Sequence, residues 1–286
     1  MVSSMSKFAV DIGQAPPVGA RVIYRHSLLV RVTHWINALC FALLLMSGLQ
    51  IFNAHPALYW GAQSSFDKPL LALGARQESD DSIKGVTTIL GKSFATTGVL
   101  GASRDESGQL TERGFPSWIT IPSYQDLATG RRWHFFFAWL LVLNGAVYVA
   151  NLFARRHLRD FVPSARELRE IPASVWEHVR LRFPTGDKAL HYNVLQKLAY
   201  LSVIIVLPIL ILAGLTMSPA IDAAFPWLLS LFGGRQSART IHFIAAFYLV
   251  GFVFIHIVMV LISGVLNNMI SMITGRYAIG EDRREA

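Results

Sequence analysis

Four stretches of the chain carry no Asp, Glu, Lys or Arg, and each is long enough to cross a lipid bilayer as a helix. They are residues 32–66, 133–154, 198–221 and 240–275. A helix needs about 20 predominantly apolar residues to cross the hydrocarbon core. The sequence therefore predicts an all-α integral membrane protein, a single domain over residues 1–286 built as a four-helix transmembrane bundle. The predicted helices cover approximately residues 33–53, 133–154, 196–217 and 240–263.

The composition argues against a water-soluble fold and limits the classes of partner that we expect. Hydrophobic residues make up 53% of the chain and charged residues 15%, whereas soluble domains carry about 25% charged residues. The net charge of +8 would suit nucleic acid, but in so apolar a chain it indicates basic cytoplasmic loops. We therefore expect membrane lipid, and no nucleic acid, as a partner. The single cysteine, Cys40, excludes an internal disulfide framework and a C-x-x-C-H haem attachment site.

The distribution of lysine and arginine predicts the orientation of the bundle. The N-terminal segment carries four basic residues and one acidic residue, namely Lys7, Arg21, Arg25, Arg31 and Asp11. The connection 155–195 has an excess of basic residues, whereas the connection 54–132 is balanced, with eight of each sign. Because short basic segments stay in the cytoplasm, we expect both termini and the 155–195 loop to be cytoplasmic. The long 54–132 loop would then lie on the outer side.

Four histidines lie in or at the ends of the apolar stretches, where an ionisable residue indicates function. His242 and His256 are 256 − 242 = 14 residues apart, which is about 21 Å of helix and close to four whole turns. The predicted topology puts His134 at the depth of His242 and His34 at the depth of His256. Two histidine pairs at two depths are the axial ligands that two stacked b-type haems require.

Two glycines and one further histidine complete this interpretation. Gly48 lies on the His34 face at the outer depth, and Gly145 lies on the His134 face at the inner depth. Either could let a haem edge approach the helix backbone, although glycine is common in membrane helices for packing alone. A single histidine at a membrane boundary is more often an interfacial residue than a ligand, and His26 is the alternative to His34.

Several motifs resemble a known family. They are RVTHWINA around His34, RRWHFFFAW around His134 and YNVLQK before the third helix, together with the spacing of His242 and His256. In this combination the chain resembles the di-haem cytochrome b subunits of respiratory formate dehydrogenase, nickel-iron hydrogenase and thiosulfate reductase, which are related to bacterial cytochrome b561. The resemblance covers the membrane half of the chain and is not specific to one partner enzyme.

The resemblance implies an electron-transfer subunit of the bacterial inner membrane, rather than a catalyst alone. Such a subunit carries electrons between the quinone pool and a peripheral periplasmic redox enzyme, for which the comparison favours a molybdenum enzyme. Transferred to this chain, the iron of the inner haem takes His34 with His256, and the outer haem takes His134 with His242.

The resemblance also places a quinone site before the third helix, beside Asn193 and Gln196. The alternative is that these two residues only cap that helix. In the outer loop, we expect the aromatic ends (AHPALYWG and FPSWITIPSY) to pack against the outer haem. The Gly- and Ser-rich middle, 74–114, would be a docking surface. The cytoplasmic stretch 163–183 predicts an interfacial amphipathic helix.

Two other functions fit the same sequence. One is a free-standing quinone oxidoreductase of the cytochrome b561 type that acts on a small molecule. The other is a haem-free transporter whose histidines relay protons.

Overall fold

A computed structural model describes residues 21–79, 82–154, 162–180 and 193–279. Four helices in it are long and apolar enough to cross a membrane, the number that the sequence predicts. They are α1 (Leu28–Asn53), α2 (Leu127–Ala154), α5 (Val194–Leu215) and α8 (Arg235–Ile262).

Both α1 and α2 begin about a turn earlier than the apolar stretches suggest, because capping residues rather than charges decide where they start. Ser27 accepts a hydrogen bond from the Val30 N–H at 3.4 Å. Asp126 accepts from the N–H groups of Ala128 and Thr129 at 2.9 and 3.2 Å, and these bonds, led by that from the Thr129 hydroxyl, lower the pKa of Asp126. Acceptors at these positions satisfy the free N–H groups of a first helical turn.

The four long helices pack as two antiparallel pairs, α1 with α2 and α5 with α8. In the first pair, the buried Asn144 donates to the Thr33 carbonyl at 2.8 Å and to the Asn37 side chain at 2.7 Å. Polar side chains within a bilayer have no water to bond, so such pairs fix the register of neighbouring helices.

The two ends of the described chain are joined to each other. Strand β1 (Arg21–Tyr24) pairs antiparallel with β8 (Arg276–Ile279), which follows the short helix α9 (Val265–Thr274). The Trp35 indole also donates to the Met272 carbonyl at 3.1 Å. The start of α1 and the end of α9 therefore lie on one side of the bundle.

The outer loop is folded, and the all-α prediction was wrong for it. We call residues 54–126 the cap. It holds a four-stranded antiparallel sheet in the order β2-β3-β4-β5 and a separate β6-β7 hairpin. The strands are β2 (Ala57–Leu58), β3 (Leu71–Gln77), β4 (Ile83–Ile89), β5 (Lys92–Ala95), β6 (Ala102–Arg104) and β7 (Leu110–Glu112). The Gly, Ser and Thr content that suggested a loop belongs to these strands and their tight turns, such as Leu90–Gly91, where both φ angles are positive.

The cap is attached to the C-terminal end of α1. Leu49 and Phe52 of α1 form a buried cluster with Leu58, Leu73 and Phe115 of the cap. The Asn53 side chain pairs with both backbone groups of Phe115, accepting from its N–H at 2.6 Å and donating to its carbonyl at 3.1 Å.

The cap is also attached to the start of α8, which two short helices, α6 (Pro219–Ala224) and α7 (Pro226–Leu231), precede. The Gly61 N–H donates to the Ser237 hydroxyl at 2.7 Å, and the Thr240 hydroxyl donates to the Tyr59 carbonyl at 2.6 Å. The cap therefore bridges the two helix pairs.

On the opposite side, the predicted amphipathic stretch 163–183 forms two helices, α3 (Ala165–Arg169) and α4 (Ile171–Val179). Its last three residues lie outside the described ones. Lys197 of α5 forms an ion pair with Glu167 at 2.7 Å, and this bond, together with hydrogen bonds from Ser164, lowers the pKa of Glu167 to about 2.

Replacing Asn53 should loosen the cap. In Asn53→Ala, the buried N–H of Phe115 loses its partner, at a cost of about 1–3 kcal/mol for an unsatisfied group, while the Phe115 carbonyl keeps the hydrogen bond from Arg113 Nε at 2.9 Å. We expect a lower unfolding temperature in detergent and faster proteolytic cleavage within the cap. The matched control is Gln125→Ala, which removes an exposed hydrogen bond to the Glu112 carbonyl. Cleavage of Asn53→Ala at the wild-type rate would show that the cap is held by other contacts.

Candidate haem-binding site

The structure brings the four histidines together in the two predicted pairs. The rings of His134 on α2 and His242 on α8 have centroids 6.2 Å apart. The rings of His34 on α1 and His256 on α8 have centroids 6.3 Å apart. Helix α8 thus supplies one member of each pair, and the two pairs are about 21 Å apart along it.

His134 is oriented by α1. Its Nδ1 lies 3.2 Å from the Ser47 hydroxyl, which donates its own proton to the Leu43 carbonyl at 2.6 Å. The hydroxyl oxygen is therefore the acceptor for the Nδ1–H of His134. The ring also lies against Gly48, where a Cβ would be 3.3 Å from the His134 Cε1.

His242 is oriented in the same way by α5. Its Nδ1 lies 2.8 Å from the Leu210 carbonyl, which can only accept a hydrogen bond. A Cβ at Gly214 would be 3.0 Å from the His242 Cε1 and 3.1 Å from its Nδ1, so this glycine makes room for the ring. In both outer histidines Nδ1 carries the proton, which leaves the Nε2 lone pair for a metal.

Aromatic neighbours surround the inner pair. Phe252, one turn before His256 on α8, stacks on its ring at 6.1 Å with an interplanar angle of 9°. Trp35 contacts the His34 ring edge to face at 5.5 Å. The inner histidines therefore lie among flat apolar rings, which suit the edge of a macrocycle.

The spacing of both pairs fits the axial ligation of iron. Two imidazoles that bind one metal from opposite sides, at about 2.0 Å per nitrogen, have ring centres roughly 6 Å apart. Among the described residues no group of three or more His, Cys, Asp or Glu could hold a metal ion by itself. The observed pairs offer two ligands each, the number that haem iron takes from the protein.

The remaining predicted residues have different surroundings. Asn193 and Gln196 form a capping box at the start of α5, in which each side-chain oxygen accepts the other residue's backbone N–H, at 2.9 and 3.1 Å. They lie at the inner depth, because Leu210 lies beside His242 and α5 is antiparallel to α8. A Cβ at Gly145 would meet no described atom within 4 Å, so this glycine borders open space.

Three residues of the site, Ser47, Leu210 and Gly214, were not predicted from the sequence. Ser47 and Gly48 are adjacent on α1, so a search for small polar residues beside the predicted glycine would have found Ser47. Neither Gly214 nor Leu210 carries a signal of its own, since only the register of α5 against α8 brings them to His242.

Arg239 connects the outer pair to the cap. It lies one turn before His242 and donates to the carbonyls of Ala57, at 2.9 Å, and His55. Its guanidinium also lies over the Phe52 ring, 5.2 Å from the ring centroid. Burial, with the charge of Arg239 as the second cause, lowers the pKa of His55. The AHPALYWG segment is thus bonded to the helical turn before His242 through Arg239 and Thr240, and its packing against the outer haem stays a prediction.

The glycine beside His242 provides a test of the outer site. Gly214→Ala should displace the ring of His242, because the new Cβ would approach it to 3.0 Å, and should lower the content of b-type haem in the purified protein. Gly251→Ala is the matched control on α8, since a Cβ there meets nothing described within 4 Å. Equal haem content in the two variants would contradict the proposed contact. Haem is measured from the absorption of its pyridine complex.

Comparison with known proteins identifies the family. The family model described as prokaryotic cytochrome b561 matches residues 25–275, a range that contains all four paired histidines. A relative in Azospira oryzae, named as protein-methionine-sulfoxide reductase subunit YedZ1, is 29% identical over 251 residues, which are 87% of this chain and 96% of the relative. The chain therefore belongs to the prokaryotic cytochrome b561 family, a membership that implies b-type haem as its cofactor.

Proposed function

We propose that this protein is a di-haem cytochrome b that carries electrons across the bacterial inner membrane, between the quinone pool and a peripheral oxidoreductase on the outer face. The observation that carries this proposal is the pair of facing histidine couples at two depths of α8, with ring centroids 6.2 and 6.3 Å apart. A transporter that relays protons would need no such matched spacing at both depths.

Each histidine pair has a defined task in this proposal. His134 and His242 bind the outer iron through Nε2, and His34 and His256 bind the inner iron. Ser47 and the Leu210 carbonyl hold the outer rings in the required tautomer. The haems, when bound, supply one-electron carriers at the two depths. The aromatic rings of Trp35 and Phe252 contact the inner ligands.

The cap is the proposed docking surface for the peripheral partner. It lies at the outer ends of α1 and α8, next to the outer histidine pair, and exposes the large aromatic side chains of Trp60, Phe66 and Trp118, the last of them 76% exposed. Exposed aromatic residues are typical of interaction surfaces. The subunit name of the Azospira relative favours a partner that reduces methionine sulfoxide in proteins, and a molybdenum enzyme remains the partner type that the family resemblance favours.

The orientation follows from the charges and the joined ends. The β1–β8 pairing puts the start of α1 and the end of α9 on one side, and the basic residues of the N-terminal segment favour the cytoplasm for that side. The cap then faces the periplasm. A quinone that exchanges electrons with the inner haem would take up or release its protons on the cytoplasmic side.

The proposed quinone site is at the start of α5, at the depth of His256. The capping box occupies the side-chain oxygens of Asn193 and Gln196. A quinone carbonyl needs a donor, and the amide NH₂ group of either residue can supply one. One residue can thus cap the helix through its oxygen and bind quinone through its nitrogen.

The number and place of the haems test the main proposal. The purified protein should contain two non-covalent b-type haems per chain with low-spin spectra. His242→Ala should remove only the outer haem and His256→Ala only the inner one, and each variant should stop quinol-dependent reduction of the partner. As a control, His26→Ala should keep both haems. One haem in the wild-type protein would contradict the di-haem proposal. Two haems in His34→Ala would show that another residue is the ligand.

The quinone site is tested by variants that separate capping from binding. Gln196→Glu and Asn193→Asp keep an oxygen acceptor for the helix cap but lose the NH₂ donor. We expect them to raise the KM for quinol at unchanged haem content, with a roughly tenfold loss of kcat/KM for a lost hydrogen bond to a bound carbonyl. Gln196→Ala and Asn193→Ala should lose the cap as well. Wild-type kinetics in the Glu and Asp variants would reduce both residues to helix caps.

A further inference from the structure

The outer and inner histidine pairs differ in how their rings are held. Both outer rings donate Nδ1–H to a protein acceptor, His134 to the Ser47 hydroxyl and His242 to the Leu210 carbonyl. Across residues 21–79, 82–154, 162–180 and 193–279, neither His34 nor His256 forms a corresponding hydrogen bond. The two sites therefore offer their irons chemically different imidazoles.

The acceptor role of Ser47 follows from its own bonds. Its side chain is fully buried, and its hydroxyl lies 2.6 Å from the Leu43 carbonyl and 3.3 Å from the Leu44 carbonyl. A hydroxyl has one proton, and the shorter bond to Leu43 uses it. The oxygen lone pairs are then left to accept from His134, which must donate, and the Leu44 carbonyl is a second acceptor beside the same ring.

An acceptor on Nδ1–H makes an imidazole a stronger donor of electron density to its metal. A more basic ligand stabilises ferric iron relative to ferrous iron. The half-reaction is the one-electron reduction of the iron, in which no bond forms or breaks and Nδ1 keeps its proton. Strengthening this hydrogen bond therefore lowers the midpoint potential of the iron that His134 binds.

We propose that Ser47 is a positioning residue that lowers the midpoint potential of the outer haem, and so makes that haem a stronger reductant for the outer partner. The inference rests on the proposed function, because it requires a haem between His134 and His242. Ser47 is the side chain through which the sequence can adjust the midpoint potential of the outer haem, since the acceptor for His242 is a backbone carbonyl. Gly48, next to Ser47, keeps the ring close enough for the bond.

The test compares Ser47→Ala with three other variants of the full-length protein. Ser47→Thr keeps the hydroxyl and should keep the wild-type midpoint potential of the outer haem. Ser47→Cys replaces the hydroxyl with a weaker acceptor. The matched control is Thr33→Ala, because Thr33 is also buried on α1, bonds back to the Leu29 carbonyl at 2.9 Å and precedes the inner ligand His34. Each substitution is also made in the His256→Ala background, which isolates the outer haem.

The readouts are redox titration of the haem absorption bands and the electron paramagnetic resonance spectrum of the ferric state. Ser47→Ala should shift the outer midpoint potential upward, so that at a fixed ambient potential the ratio of reduced to oxidised outer haem rises roughly twofold to tenfold. Ser47→Cys should give a smaller shift in the same direction. The midpoint potential of the inner haem should stay unchanged in all Ser47 variants, and Thr33→Ala should change neither midpoint potential.

Three results would overturn the inference. The first is an unchanged midpoint potential of the outer haem, and the second is an equal shift of both midpoint potentials. The third is loss of the outer haem in both Ser47→Ala and Ser47→Cys, which would make Ser47 a structural residue only. A wild-type protein with fewer than two haems would instead contradict the proposed function, so the two failures are distinguishable.

Discussion

The absence of water inside a bilayer is the constraint on which this structure depends. An imidazole buried among transmembrane helices needs a partner for each ring nitrogen, because lipid offers none. At the outer depth, Ser47 and Leu210 satisfy Nδ1 of His134 and His242, and the two ring centroids are 6.2 Å apart, a spacing that one metal ion fits. The protein thus supplies a hydrogen-bond partner for Nδ1 of each outer ring and leaves Nε2 for the proposed cofactor.

The same constraint explains why two glycines lie beside the outer histidines. A ring can donate to a neighbouring helix only if its Nδ1 comes within about 3 Å of that helix, and a Cβ in the way would prevent this. Gly48 on α1 and Gly214 on α5 remove that obstacle. In both helix pairs, α1–α2 and α5–α8, a glycine on one helix therefore makes room for the histidine ring of the other. The two rings lie beside each other between the pairs.

The helices and the histidine pairs could be predicted from the sequence because both depend on one-dimensional periodicity. Gaps between charged residues predict the spans, and the 14-residue spacing of His242 and His256 predicts one face at two depths. The cap could not be predicted from composition, although the β-branched residues of IKGVTTIL, followed by GKSFATT, are typical of a hairpin. Gly214 has no signal in the sequence, since its role depends on how α5 is placed against α8.

The two ends of the bundle are closed by different means, and this difference bears on how substrates reach them. At the outer end the cap bridges α1 and α8, through Phe115 and Arg239 among others, so it lies between the outer pair and the aqueous side. At the other end the closure is a two-stranded pairing of β1 with β8, and His34 and His256 are half-buried, as the outer two histidines are. On the proposed topology, a lipid-soluble quinone can approach the inner pair from the membrane. A peripheral protein must instead contact the cap, so each electron exchange is confined to its own end of the molecule.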